Sequence, residues 1–226
     1  MSLFNILYYS FMNYLIFNFT FYISNIILFI IDHFKILDKF KIQQNKIQTT
    51  SVIDDTYKNS LYVVLWNSLI CIIPGLLFVG AYENAYEGDF TIIKFGFDIM
   101  FARILTEILF YTIHRICHLS PFYKYIHKKH HEIITPVGIT TLYMTPIDLY
   151  IGNILPTYLP LYILHSHPIT IKFWIIATTI NAVVFAHSGF KKIANSHDYH
   201  HSHFNKNFGT DLFMDRLFDT EYEMDN

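Results

Sequence analysis

Eight of the thirteen histidines fall into three tight clusters: His114 with His118, His127 with His130 and His131, and His197 with His200 and His201. Spacings of three and four residues bring side chains onto one helix face, so H-x-x-x-H and H-x-x-H-H each present two or three imidazoles to a common point. Eight such ligands are too many for one ion, which makes two metals the economical reading. Neutral imidazole suits iron, zinc, copper and nickel. A nitrogen-rich centre without thiolates points to redox-active iron rather than to a closed structural zinc site. A single H-x-x-x-H carries little weight. Two copies of H-x-x-H-H set in mixed sequence, outside any low-complexity tract, are specific.

The elements that must position these residues are membrane helices. The chain is 53% hydrophobic and 18% aromatic, with only 15% charged residues, against roughly 25% charged in soluble domains. The first 31 residues carry no charge, and further apolar stretches cover 61–81, 90–113, 139–164 and 169–187. About 20 apolar residues cross a bilayer, so each stretch is long enough. The opening stretch has neither a basic n-region nor a small-residue cleavage site and reads as a retained anchor. The fold class expected is all-α: an integral membrane helical bundle with a cytosolic histidine-rich helical cap. Residues 1–90 supply amino-terminal spans and a connection, and residues 91–226 form one compact catalytic unit.

Thirteen of the sixteen basic residues lie in 32–60, 114–138 and 188–226. By the positive-inside rule these segments face the cytosol, which puts all three histidine clusters on one side. Spans at 139–164 and 169–187 then form a hairpin that leaves the cytosol after His131 and returns before His197. Pro146, Pro156 and Pro160 are expected to kink its first arm. Two cysteines support no disulfide framework, and a net charge of −2 with scattered basic residues gives no nucleic-acid signal.

The motifs His114-Arg-Ile-Cys-His118, Lys124-Tyr-Ile-His127-Lys-Lys-His130-His131-Glu132, His187-Ser-Gly189, His197-Asp-Tyr-His200-His201 and Asn207-Phe-Gly209 resemble those of the fatty acid hydroxylase/sterol desaturase superfamily. Within it they are most similar to the sterol methyl oxidases. The likeness covers roughly residues 95–222. It implies a membrane-embedded, non-haem di-iron enzyme that uses dioxygen to oxidise an unactivated C–H bond of a lipid, most specifically a sterol methyl group. It adds His187 to the eight histidines above as a ninth ligand. It also implies electrons from a separate b-type cytochrome and its NAD(P)H reductase, and residence in the endoplasmic reticulum. No flavin, nicotinamide or haem motif occurs in the chain itself.

Such chemistry needs two metals with facing open positions and a channel that excludes bulk water. Carboxylates commonly orient ligating histidines; Glu132 and Asp198, next to ligands in sequence, are the candidates, with His203 a further one. Arg103 and Glu107, four residues apart, are expected to pair inside the bundle. The family's Y-x-H-P-x-E/D element is matched by Tyr143-Met-Thr-Pro-Ile-Asp148, with Thr145 in place of histidine. That departure keeps fatty-acyl or sphingolipid hydroxylation and sterol desaturation open as alternatives. Two other classes also stand: a membrane metal transporter, which would carry ligands at the bilayer midplane, and a non-catalytic lipid-binding relative. His165 and His167 fall in the turn opposite the clusters and read as ordinary loop residues.

Overall fold

The computed structural model describes residues 2–42, 50–191 and 196–222. Helix α1 (Leu3–His33, 31 residues) rises about 1.5 Å per residue, enough to cross a hydrocarbon core of about 30 Å with tilt. Its polar residues turn inward. Ser10, Asn13, Asn18, Thr20, Ser24 and Asn25 are buried, while Leu7, Phe11, Phe19, Ile23, Ile26 and Ile30 are exposed. This inverts the pattern of a water-soluble helix and follows from having lipid as the solvent. Several of the inward groups satisfy themselves locally, as Ser10 Oγ does on the Ile6 carbonyl (2.6 Å) and Thr20 Oγ1 on that of Ile16 (2.8 Å).

Helices α2 (Thr50–Leu65) and α3 (Ile73–Ala85) are joined by a π-helical turn, Trp66–Cys71, just ahead of Pro74, which cannot donate an N–H. Together Val52–Ala85 form a second stretch long and apolar enough to span. Helix α3 packs on α1, where Gly80 sits so close to Ser10 and the Ile6 carbonyl that a Cβ would overlap both. Helix α4 (Ile92–Cys117), capped by Thr91, is as long as a span but carries Lys94, Asp98, Arg103 and Glu107 and is not among the three apolar spans. Its buried Asp98 pairs with Lys94 (2.8 Å), which also donates to the Leu164 carbonyl (3.0 Å).

The stretch expected to be one span at 139–164 divides. Residues Gly138–Leu142 form a buried 3-10 turn, and the helix starts only at Pro146: α5 (Pro146–Asp148), a π-helical turn (Leu149–Ile154) and α6 (Leu155–Ile163). Proline favours a helix start and forbids a continuing one, so the chain turns before Pro146 and loosens before Pro156. The second arm of the hairpin agrees with expectation. Helix α7 (Pro168–Ile180) continues through Asn181–Ala186 and is the third apolar span. Helix α6 packs on α4, and α7 on α1. The short helices α8 (Ser196–Ser202) and α9 (Phe213–Leu217) lie at the end of the bundle where α4 and the Asn181–Ala186 turn finish. The described residues are all-α, with no strand beyond an isolated Lys41–Phe190 bridge.

Candidate metal centre

Nine histidines converge at this end of the bundle in two groups. His114, His118, His127, His131 and His200 form one; His130, His187, His197 and His201 form the other. Within each, the ring nitrogens lie within 4.8 Å of one another. Eight of the nine residues are buried and His118 is partly so. Sequence neighbours divide between the groups: His130 and His131 part company, as do His200 and His201. The two groups therefore share a wall: the ring of His131 sits 4.8 Å from that of His201, and the ring of His127 5.4 Å from that of His130.

The outer ring nitrogens are fixed by acceptors. Nδ1 of His114 faces the Phe208 carbonyl (2.7 Å), that of His187 the Ala182 carbonyl (2.7 Å), that of His200 the Lys206 carbonyl (2.6 Å) and that of His201 the Ile133 carbonyl (3.1 Å). Nδ1 of His127 faces Oδ2 of Asp148 (2.8 Å). A carbonyl only accepts, so Nδ1 of His114, His187, His200 and His201 holds the proton and their Nε2 atoms point inward as bare lone pairs; Asp148, held above the usual carboxylate range by burial, fixes His127 in the same way once it is charged.

The Nε2 atoms of each group face each other. His114 and His127 Nε2 are 3.0 Å apart, His127 and His131 3.0 Å, His118 and His200 3.0 Å, and His131 and His200 3.2 Å. In the second group His130 Nε2 lies 3.4 Å from His197 and 3.3 Å from His187. Donors about 2.1 Å from one ion stand about 3.0 Å apart at right angles and about 3.4 Å apart in a tetrahedron. These spacings are those of donors that would share one ion in each group. Without a cation, bare nitrogens such as those of His114 and His127 would only repel. Buried His201 Nε2 has no hydrogen-bond partner among the described residues.

Burial sets the protonation state. Desolvation, reinforced by repulsion from the neighbouring rings, holds His127, His130, His131, His197, His200 and His201 well below the usual imidazole range. Desolvation takes His187 down to about 4, and desolvation with the nearby His114 takes His118 down to about 2. All are neutral at pH 7, the form that ligates metals.

The candidate orienting groups fare differently. Asp198 is buried and lies against Gly189 of the H-S-G turn. Glu132 is instead exposed and accepts from the Tyr143 hydroxyl (2.9 Å); the 3-10 turn His130–Glu132 directs the histidines inward and the carboxylate outward. His203 stacks on Tyr222, ring centroids 4.0 Å apart, and faces the Tyr199 carbonyl (3.2 Å), so its contacts are within α8 and with the carboxy-terminal segment. A further carboxylate that reaches a ring is Asp148, whose only signal in the sequence was the acid of the Tyr143–Asp148 element. Thr145, in the place of histidine there, caps Asp148 N (3.2 Å) and donates to the Ile126 carbonyl (2.8 Å), tying this turn to His127. Arg103 and Glu107 do not pair. Arg103 reaches Asp211, and Glu107 accepts from the N–H groups of Thr210 (2.6 Å), Asp211 (2.9 Å) and Met214 (3.1 Å). Asp215 likewise accepts from Phe208 N (2.8 Å) and Gly209 N (2.7 Å). Two buried acids thus fold the 207–215 loop so that the Phe208 carbonyl meets His114.

Beneath the centre, an inner pocket of about 90 Å³ is bounded by Thr141, Asn153, Thr157, Thr178 and Ala182 among others. An outer cavity of about 370 Å³ between α3 and α6 is lined by Phe78, Tyr150, Tyr162 and aliphatic side chains. Phe17, Ile72, Ile154 and Tyr158 line both. Ala182 also supplies the carbonyl that holds His187, so the inner pocket ends one hydrogen bond from the four-histidine group.

Fold and site together define a membrane helical bundle closed at one end by paired histidine groups. The fatty acid hydroxylase family model matches residues 99–220, which include all nine histidines, and the chain belongs to that family. It is 30% identical over 194 residues to human fatty acid hydroxylase domain-containing protein 2, covering 82% of this chain and 57% of that protein. It is 29% identical to fatty acid hydroxylase ahd1 of Mycosarcoma maydis, over 81% of this chain and 49% of that one. With zebrafish (Danio rerio) methylsterol monooxygenase 1 the identity is 28%, over 85% and 71% respectively. The chain thus spans about half the length of the first two relatives. No solved structure matches it significantly.

Proposed function

We propose that this chain is a membrane-bound di-iron oxygenase that hydroxylates or further oxidises a lipid C–H bond, with a sterol methyl group the preferred target. The observation that carries the reading is the pair of adjacent imidazole groups with inward, unprotonated Nε2 atoms. The five-histidine group would hold one iron and the four-histidine group the other. Bound iron would supply the activation of dioxygen and the redox equivalents that no side chain here can provide.

The chain's own residues bind, orient and exclude. Asp148 and the backbone carbonyls of Phe208, Ala182, Lys206 and Ile133 lock five rings in the ligating tautomer. The outer cavity accepts an apolar body from the bilayer, and its aromatic lining suits a ring system. The inner pocket brings the reacting carbon toward Ala182 and the four-histidine group. Exposed Arg115, Lys124 and Lys128 surround the centre and suit docking of an acidic electron carrier, read here as a b-type cytochrome served by its NAD(P)H reductase. The excess of basic residues in 32–60, 114–138 and 188–226 supports a cytosolic orientation for this end, and the likeness to methylsterol monooxygenases supports residence in the endoplasmic reticulum. The names of the two hydroxylase relatives favour a second reading, an acyl-chain substrate in the same cavity.

Lipid profiling tests the proposal. Membranes bearing the protein, given oxygen and reductant, accumulate hydroxylated or further oxidised methyl sterols, and the products vanish in His130→Ala. Unchanged sterols beside hydroxylated acyl chains would replace the sterol by the second reading; no oxidised lipid of either kind would remove the enzyme.

A further inference from the structure

The segment after α1 reaches the metal centre although it lies outside the region matched to the family. Lys41 Nζ pairs with Oδ1 of Asp32 (2.7 Å) and donates to the Ser188 carbonyl (2.7 Å). It also sits 4.0 Å from the centroid of the Phe190 ring. Asp32 is 1% exposed and the Lys41 side chain 16%. The backbones add two hydrogen bonds, Ile42 N to the Gly189 carbonyl (2.7 Å) and Lys191 N to the Phe40 carbonyl (2.7 Å). Between them stands Gly189 at φ +73, where a Cβ would meet the Lys41 stem at 3.5 Å and the Asp198 carboxylate at 3.3 Å.

This clasp closes on the two residues that follow His187. His187 ends the π-helical turn Asn181–Ala186 with φ −127 and ψ 6, outside the helix. Its ring is held from one side by the Ala182 carbonyl. The direction of the backbone leaving it is set by Ser188 and Gly189. A buried ion pair is a costly way to fasten a loop, because both charges lose their hydration. Its distinctive property is directional: the ammonium fixes one carbonyl and one glycine turn at the edge of the four-histidine group, and touches none of the residues of the five-histidine group.

We propose that Lys41, charged against Asp32, is a positioning residue for the four-histidine group, setting His187 through the Ser188 carbonyl and the Gly189 turn. The proposal rests on the two-metal reading above and assigns the amino-terminal segment a part in the metal centre. Loss of a partner that orients a ligand typically weakens metal binding ~10–100-fold, and here the loss falls on one site of the two.

The test is Co²⁺ titration of the metal-free full-length protein in detergent, followed by visible absorption and metal analysis, for wild type, Lys41→Met, Lys41→Arg and the double variant Asp32→Leu/Lys41→Met. The double variant removes both charges, so no lone carboxylate is left buried, and the five-histidine site reports that the fold persists. Expected are two equivalents in wild type. In Lys41→Met and in the double variant one equivalent weakens ~10–100-fold while the other keeps its affinity and spectrum, and Lys41→Arg recovers most of the loss. Equal weakening of both equivalents, or a double variant that titrates like wild type, overturns the positioning role. A wild-type chain that takes up no Co²⁺ removes the two-metal reading and this role with it.

Discussion

His200 and His201 are neighbours in sequence that serve different groups: His200 Nε2 stands 3.2 Å from His131 Nε2, while His201 belongs with His130, His187 and His197. The same division occurs at His130 and His131. Two consecutive histidines on a tight turn cannot aim at one point, because successive side chains diverge by about 100° around a helix. An H-H pair is therefore a way to span two neighbouring points, and two such pairs place those points side by side.

Single-histidine variants should accordingly lose one metal each. His131→Ala depletes the five-histidine site and leaves the other filled; His201→Ala does the reverse. Metal analysis of both variants after identical loading checks this, and loss of both metals from each would show that the groups are not separable.

Asp148 orients His127, so Asp148→Ala should weaken metal binding at the five-histidine group by ~10–100-fold, whereas Asp148→Asn, which still offers a carbonyl oxygen to Nδ1–H, should lose less. Metal titration resolves the two. Equal affinity in wild type and Asp148→Ala would show that the 2.8 Å contact has no bearing on the ligand.

The metal-free protein should be acid-labile in a defined window. His118 and His187 are lowered by burial to about 2 and about 4 when folded, against about 6.5 when unfolded. A lowered folded value means that the unfolded chain binds protons first, so stability is full above pH 6.5 and falls as pH drops from there through the folded values. Thermal unfolding of the metal-free protein between pH 8 and 4.5 checks the sign: the midpoint is level above about 7 and declines below about 6.5. A midpoint that rises on acidification contradicts buried neutral rings.

Glu107 receives three backbone N–H groups and the Thr210 hydroxyl. Replacing it with alanine strands the buried Met214 N–H, worth about 1–3 kcal/mol, and removes three part-buried hydrogen bonds to Thr210 and Asp211. Glu107→Ala should lower stability by several kcal/mol and disturb His114 through the Phe208 carbonyl. Chemical denaturation gives the first and metal content the second.

Much of this was legible beforehand because metal sites demand residue types that sequence displays. The nine histidines, the all-α membrane bundle and the family could be read from spacing and motif. What escaped was set by tertiary contact. The carbonyls of Phe208, Lys206 and Ile133 carry no residue signature, and Asp148 and Lys41 act on rings or turns far away in sequence. Adjacency misled at Glu132, because the residue after a ligand on a 3-10 turn points away from it. The Arg103–Glu107 spacing misled for a related reason: the 207–215 loop offered Glu107 N–H donors that outcompete a neighbouring guanidinium. Hydropathy alone likewise ran 139–164 together, although Gly138 and Pro146 bracket a turn there.

The proposed membrane sidedness rests on the basic segments and is open to labelling. With Cys71 and Cys117 replaced, single cysteines at exposed Lys128 and Asp219 should react with an impermeant thiol reagent from the cytosolic side alone, and one at exposed Glu87 from the other. Reaction of positions 128 and 219 from opposite faces would contradict a shared site.

The most direct measurement is iron per chain after anaerobic purification. The structure-based reading predicts two irons in wild type, falling to about one in His131→Ala and in His201→Ala. A value near one in wild type, unchanged by His200→Ala, would contradict the paired centre.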